Sequence, residues 1–163
     1  MSLVIRRAMP ADEPFLWRML ATTADLPPAV PPRVEAVQAN PGMSHYLFGW
    51  GRPGDAGVVA EEDGEPVGAA WFRSFSASSP GYGFLVEDIP EISIGVEAGW
   101  RSRGIGRALL QALIERARDD GHSSLSLSVD ARNAPALALY RSFGFETVGG
   151  DADNPTMLLR LLG

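Results

Sequence analysis

The 163-residue chain reads as one mixed domain, residues 1–163, of the α/β or α+β class, with a sheet sandwiched by helices. Three observations lead there. The length suits one domain and buries roughly two-thirds of the unfolded surface, enough for a core without staples. Stretches of period two alternate along the chain with stretches of period 3.6. Their connections are of both kinds, hairpin and crossover, as a sheet covered by helices requires.

Taken in order, Val4–Ala8 has the pattern of a short strand, and Pro10, Ala11 and Asp12 make a turn into a helix. On that helix Phe15, Leu16, Met19 and Leu20 recur at helical spacing. Leu26–Pro32 holds four prolines in seven residues, which excludes a helix interior. A short helix is expected around Arg33–Ala39, stopped by Asn40, Pro41 and Gly42. Gly57–Glu61, the Asp63–Gly64 turn and Pro66–Ser74 form a hairpin. Phe75–Gly83 is rich in Ser and Gly and reads as loop. Glu91–Val96 alternates as a strand. Gly104–Asp119 carries Ile105, Ala108, Leu109, Ala112 and Leu113 on one helical face, and Gly121 stops it. Leu125, Leu127 and Val129 mark another strand. Pro135–Phe143 is a helix with proline in its first turn, where a missing N–H costs nothing. Phe145–Val148 and Thr156–Leu161 close the sheet.

Composition excludes several chemistries. No cysteine is present, so there is no disulfide, no thiolate metal site and no thiol to carry a covalent intermediate, and a reducing cytoplasm is the expected location. All 14 basic residues are arginine, which rules out a lysine base, a Schiff base and the phosphate lysine of a Walker loop. With only His45 and His122, no metal site is expected. The net charge of −6 disfavours nonspecific nucleic-acid binding, which depends on neutralising phosphates. No apolar run approaches the roughly 20 residues that span a bilayer, and the N-terminal residues lack the pattern of a signal peptide. Neither membrane nor nucleic acid is expected as a partner.

The most informative stretch runs strand, glycine loop, helix, from Ile92 through Arg101, Ser102, Arg103, Gly104, Ile105 and Gly106 to Leu110. A helix N-terminus offers unpaired N–H groups and partial positive charge, and glycines let an anion approach. Two arginines add charge and bidentate donors. Gly99 and Gly104 match the outer glycines of a Walker loop, but Ile105 and Gly106 stand where Lys and Ser/Thr must be. A dinucleotide fingerprint opened by Gly104 and Gly106 meets Leu109 at its third glycine. What fits is Arg101-x-x-Gly104-x-Gly106, followed one helix and one strand later by Asn133-x-x-Ala136-x-x-Leu139-Tyr140-x-x-x-Gly144-Phe145.

These two motifs, in this order and spacing, resemble those of the GNAT N-acetyltransferases, strongly over residues 90–161 and more loosely before. The resemblance implies a mostly antiparallel mixed sheet of about seven strands with about four flanking helices. Its fourth and fifth strands, here Glu91–Val96 and Leu125–Val129, would be parallel and splayed. It implies acetyl-CoA as cosubstrate, with the diphosphate on Arg101, Ser102, Arg103, Gly104, Ile105 and Gly106. The pantetheine would pair with Ile94, Gly95 and Val96, and meet Asn133, Ala136 and Tyr140. Gly95 is either a bulge that opens the strands or a packing accommodation, and Asn133 is also a good helix N-cap. Tyr140 would protonate the departing thiolate. Glu91 would be the general base, against the plain reading of a solvated residue at the start of a strand. Ser128 stands where some protein-N-terminus acetyltransferases of the family carry a glutamate. Trp50, Trp71 and Phe72 are candidates for an apolar acceptor wall.

The function so implied is direct acetyl transfer to a primary amine of a small molecule, in a ternary complex. The alternatives are a protein or peptide N-acetyltransferase and a non-catalytic coenzyme A-binding regulatory domain. Homodimers are common in the family, and a homodimer is an expectation here.

Overall fold

The structure is a computed structural model that describes residues 3–23 and 34–161. The proline run Leu26–Pro32 and the expected helix start at Arg33 lie outside the described residues. Strand β1 (Leu3–Arg7) leads through a 3-10 turn, Pro10–Asp12, into α1 (Glu13–Thr23); α2 (Val34–Ala39) and α3 (Pro41–Ser44) follow. The hairpin is β2 (Ala56–Glu62) and β3 (Glu65–Arg73), and β4 spans Glu91–Val96. After a 3-10 turn, Ala98–Trp100, come α4 (Ile105–Asp119), β5 (Ser124–Ser128), α5 (Ala134–Ser142), β6 (Glu146–Gly150) and β7 (Pro155–Arg160). The seven strands are ordered β1-β2-β3-β4-β5-β7-β6. β4 and β5 are parallel, while β1/β2, β2/β3, β5/β7 and β6/β7 are antiparallel. The expected mixed, mostly antiparallel seven-stranded sheet is therefore present, with five helices among the described residues where about four were expected.

The extra helix has a local cause. Asn40, Pro41 and Gly42 follow directly on the end of α2 at Ala39, as expected, and they also start a helix of their own. The Asn40 side chain accepts from the Gly42 N–H at 3.0 Å, and Pro41 sits in the first turn, where its fixed φ suits a helix. The β2–β3 turn follows its sequence closely. Asp63 (φ 52°) and Gly64 (φ 82°) both take positive φ, as the tight hairpin requires.

The chain divides into two compact units. In the first, residues 1–72 and 93–113, the core is built by Leu16, Met19, Leu20, Val59, Ala69, Trp71, Phe72, Leu109 and Leu113, all almost wholly buried. Burying a Leu or Phe of this kind contributes about 1.5–3 kcal/mol. Helix α4 comes close to β3 because Gly68 has no side chain. A Cβ there would meet Leu109 Cδ1 at 3.0 Å and Ile105 Cγ2 at 3.3 Å. The sheet's other face carries α1, where a Cβ on Gly95 would come within 2.8 Å of the Met19 carbonyl. Trp71 Nε1 donates to the Tyr46 carbonyl at 3.2 Å.

In the second unit, residues 73–92 and 114–163, Leu125 and Leu127 of β5, Met157 of β7 and Phe145 are buried together with Tyr140 of α5. The 74–90 connection packs onto β5: a Cβ on Gly83 would reach within 2.6 Å of the Leu127 carbonyl carbon. Between β6 and β7 the turn is closed by Asp151 Oδ1, which accepts from the Asp153 and Asn154 N–H groups at 2.9 and 2.8 Å.

Candidate active site

The glycine loop is fixed from its start. Glu97 N–H donates to the Val67 carbonyl at 2.8 Å, and its carboxylate takes a two-point ion pair from Arg18 of α1 at 2.7 and 3.0 Å. The 3-10 turn then delivers Arg101–Gly104, all exposed. Here the backbone departs from ordinary conformation twice, at Ser102 (φ 62°) and Gly104 (φ 81°). For Gly104 that costs nothing; for Ser102 the left-handed region costs about 1–2 kcal/mol. Strain of this kind at an exposed loop tip persists where the loop has work to do. The first α4 backbone bond runs from Ala108 N–H to the Gly104 carbonyl at 3.1 Å. The N–H groups of Ile105 and Gly106 precede it in the first turn of the helix.

The loop's cations are arranged around these amides. Arg101 Nε donates to the Val96 carbonyl at 3.3 Å, which bends the guanidinium back over the end of β4. Arg103 lies over the Trp100 ring, 4.9 Å from its centroid. Nothing lies within 4 Å of a Cβ built on Gly104, so open space faces the amides at that point. A helix N-terminus with its first-turn N–H groups and two arginines on one exposed turn suits a diphosphate. The residues fit the phosphate end of coenzyme A.

Ile94 and Val96 are half-buried and Gly95 is buried. Of the two readings of Gly95, the structure supplies the packing one, because a side chain there would strike α1 at Met19. The parallel pairing of β4 with β5 consists of one register pair, Glu91↔Ser126, at the first residue of β4.

Glu91 is 3% exposed. This overturns the plain reading of a solvated residue at a strand's start: the carboxyl is inside the second unit. Tyr140 is 7% exposed and packs edge-on against Phe145 with ring centroids 5.7 Å apart. Burial pushes its phenol pKa well above the ordinary value of 10.

Asn133 caps α5, its Oδ1 accepting from the Ala136 N–H at 3.2 Å. The turn before it is set by Asp130, whose Oδ1 accepts from the Arg132 N–H at 2.8 Å and whose carboxylate is paired with the Arg132 guanidinium, at 2.6 Å from Nη2. That pairing brings the Asp130 pKa down to about 2. With Asn133 Oδ1 and the Ala136 amide engaged in the cap, the Asn133 NH2 group and the Ala136 methyl are what these residues still present to a ligand.

The loop residues Arg101–Gly106 and the strand residues Ile94–Val96 thus form one contiguous set in the first unit, at the end of β4 and the start of α4. Glu91, Asn133, Ala136 and Tyr140 belong to the second. Trp71 and Phe72 are fully buried and Trp71 is tied to Tyr46, so they are core rather than acceptor wall, and Trp50 is half-buried. Of the buried polar residues that escaped sequence reasoning, Arg73 and Ser126 are 1% and 0% exposed. The available signal was a charged residue closing an otherwise apolar strand pattern, and a serine between Leu125 and Leu127. Among the described residues no group of three or more His, Asp or Glu side chains is placed to hold a metal, and no helix is long and apolar enough to cross a membrane.

Residues 19–145 match the acetyltransferase (GNAT) family. Mycothiol acetyltransferase of Acidothermus cellulolyticus is 37% identical over 103 residues, which cover 60% of this chain and 32% of that protein. L-methionine sulfoximine/L-methionine sulfone acetyltransferase of Pseudomonas aeruginosa is 37% identical over 92 residues, 56% of this chain and 51% of that protein. The chain therefore aligns with only a third to a half of the length of these relatives. The crystal structure of ribosomal-protein-alanine N-acetyltransferase from Brucella melitensis superposes with a TM-score of 0.71 at 30% identity, covering 96% of this chain and 99% of that one.

Proposed function

The chain belongs to the acetyltransferase (GNAT) family, and from that premise we propose that it transfers the acetyl group of acetyl-CoA directly to a primary amine of a small molecule. The observation that carries the cofactor assignment is the Ser102–Gly104 turn, with positive φ at Ser102 and Gly104, set before the N-terminus of α4 and carrying Arg101 before it and Arg103 within it. The small acceptor is supported by the relatives named for mycothiol and for methionine sulfoximine.

When bound, acetyl-CoA supplies a thioester carbonyl as electrophile. The chain's own residues do the rest. Arg101, Arg103 and the Ile105 and Gly106 amides would hold the diphosphate, and the backbone of Ile94, Gly95 and Val96 would orient the pantetheine arm. Glu91 takes the proton of the acceptor ammonium, and its burial means that the proton reaches it through water. Tyr140 faces the departing thiolate. Its raised pKa keeps the phenol protonated throughout the neutral range, so it acts first as a hydrogen-bond donor and gives up its proton only as charge collects on sulfur. No cysteine is present to hold the acetyl group in between.

A second reading, acetylation of a protein N-terminus, is favoured by the near-complete superposition on the ribosomal-protein-alanine enzyme. One experiment separates these: release of free thiol from acetyl-CoA against a panel of amino acids, small amines and N-terminal peptides. Turnover with a small amine supports the proposal, and turnover with peptides alone selects the second reading. Tight coenzyme A binding with no thiol release from any acceptor identifies a regulatory domain.

A further inference from the structure

Arg73, at the last position of β3, is 1% exposed. A guanidinium inside a protein is tolerated beside an anion and is costly elsewhere. Among the described residues the buried carboxylates are Glu62 and Glu91. Glu62 pairs with Glu65 at the opposite end of β3, roughly 27 Å away along an extended strand. Glu91 is at the near end.

The register of β3 and β4 follows from two contacts. Glu97 N–H donates to the Val67 carbonyl, and a side chain on Gly68 would meet the Gly95 carbonyl. Later residues of β3 thus meet earlier residues of β4, so the strands are antiparallel, and the same register sets Arg73 opposite Glu91. On the other side of Glu91 its register partner is Ser126 of β5. Alternate residues share a face of the sheet. Trp71 and Gly95 face Tyr46 and Met19, so Arg73 and Glu91 are on that face too, and Ser126 shares it as Glu91's cross-strand partner. Ser126 is 0% exposed, and its Oγ has no hydrogen-bond partner among the described residues. Buried hydroxyls are normally paired. Rotation about the Cα–Cβ bond is the freedom this one has, and its register partner on β4 is Glu91.

The charges around Glu91 are few. β3 carries only Glu65, at its far end, besides Arg73, and β5 has no ionisable side chain. On the 74–90 connection Tyr82, Glu87 and Asp88 are exposed, and Glu87 Oε1 accepts from the Ala77 N–H. Burial alone drives a carboxyl to its neutral form, while an adjacent cation and a hydroxyl donor restore the charged one.

We propose that Arg73 and Ser126 are the positioning residues of the Glu91 base, holding it ionised inside the protein from either side. The inference rests on reading Glu91 as the base. In turnover one proton passes from the acceptor ammonium through water to Glu91, freeing the nitrogen lone pair. The Arg73 guanidinium beside it then favours release of the acquired proton from Glu91 to solvent before the next cycle.

The test is a carbon-13 carboxyl NMR titration of the full chain, with the Glu91 signal assigned by its loss in Glu91→Gln, alongside steady-state kinetics. Glu91 is expected to be ionised at pH 7 in the native chain and in Arg73→Lys, and protonated in Arg73→Met. Arg73→Met should then lower kcat on the order of 10²-fold, as Glu91→Gln does, with acetyl-CoA affinity within about twofold. Ser126→Ala, which removes only an oxygen, should move the Glu91 titration to higher pH and lower kcat about three- to tenfold. If Arg73→Met does not fold, the Arg73→Met/Glu91→Gln double variant should fold better, since it leaves no lone buried charge. An ionised Glu91 in Arg73→Met overturns the proposal. So does a double variant no more stable than the single one, or a Ser126→Ala variant with native titration and kcat. A Glu91→Gln variant with native kcat defeats the base reading instead, and the NMR result still decides whether Arg73 holds Glu91 ionised.

Discussion

A Cβ on Gly104 would meet nothing within 4 Å, yet the residue's φ is 81°. The damage from Gly104→Val is therefore conformational and local rather than a clash with the core. Strain of about 1–2 kcal/mol is expected for a side chain in that region, somewhat more for a β-branched one. The new methyl groups stand in the space that the α4 amides face. Calorimetric titration should show acetyl-CoA affinity at least about tenfold weaker, a loss of about 1.4 kcal/mol, in a variant that still melts cooperatively. Unchanged affinity would remove the loop from the site. Tyr140→Phe tests the chemistry instead. Its oxygen is the only atom lost, so kcat should fall by about 10²-fold or more with acetyl-CoA affinity unchanged. If kcat is intact while chemistry limits turnover, Tyr140 is a packing residue against Phe145. The residues of the loop and of α5 were legible in the sequence because each set is contiguous, and a contiguous set leaves a motif. Arg73 and Ser126 were not: they lie on β3 and β5, either side of the strand that carries Glu91, and nothing in a linear pattern records which residues of neighbouring strands fall opposite one another.

At the scale of elements, the junction of β1 with α1 is held by one carboxylate. Asp12 receives the Arg6 guanidinium at 2.7 and 2.8 Å and the Met9 N–H at 2.6 Å, while Arg6 Nε also reaches Glu61 of β2 at 3.0 Å. Hydrogen bonding to Arg6 lowers the Asp12 pKa below its ordinary 3.8 against the opposing effect of burial, and the Met9 N–H adds to the lowering. A folded-state pKa below the unfolded one means that the stabilisation is present above about pH 4 and is lost as pH falls through the folded value. Asp12→Asn should cost about 1.5–3 kcal/mol at pH 7 and progressively less below pH 4, in urea melts of both proteins at each pH. A cost independent of pH would mean that the charge is irrelevant and the cap geometry is what matters. By contrast, the Arg18–Glu97 pair, with the Arg18 side chain 54% exposed, should contribute less than about 1 kcal/mol and fade with salt. Elements with strong periodicity were read almost to the residue, β4 at Glu91–Val96 in full. The helix α3 was missed because Asn, Pro and Gly both end helices and begin them, and the beginning shows only in the Asn40–Gly42 bond.

For the whole molecule, the parallel pairing of the fourth and fifth strands was expected through the resemblance, while the sheet order β1-β2-β3-β4-β5-β7-β6 was not read at all, because periodicity places strands but does not order them. The acceptor was not legible, because its determinants are spread over connections that carry no motif. One molecular property does bear on it. The chain holds 14 arginines and no lysine, so it contains no ε-amine at all. A guanidinium stays protonated, with its lone pairs delocalised, and does not compete as a nucleophile. An enzyme that transfers acetyl to primary amines then has no internal acceptor of its own, whatever its specificity. Prolonged incubation with acetyl-CoA should add at most one acetyl group by intact-mass spectrometry, and peptide mapping should place it on the α-amine. A small amine or a peptide added to the same mixture would then account for all thiol released beyond that single equivalent. Acetylation mapped to an internal residue would mean that an oxygen nucleophile is being used, and the assignment of the reaction as transfer to nitrogen would have to be withdrawn.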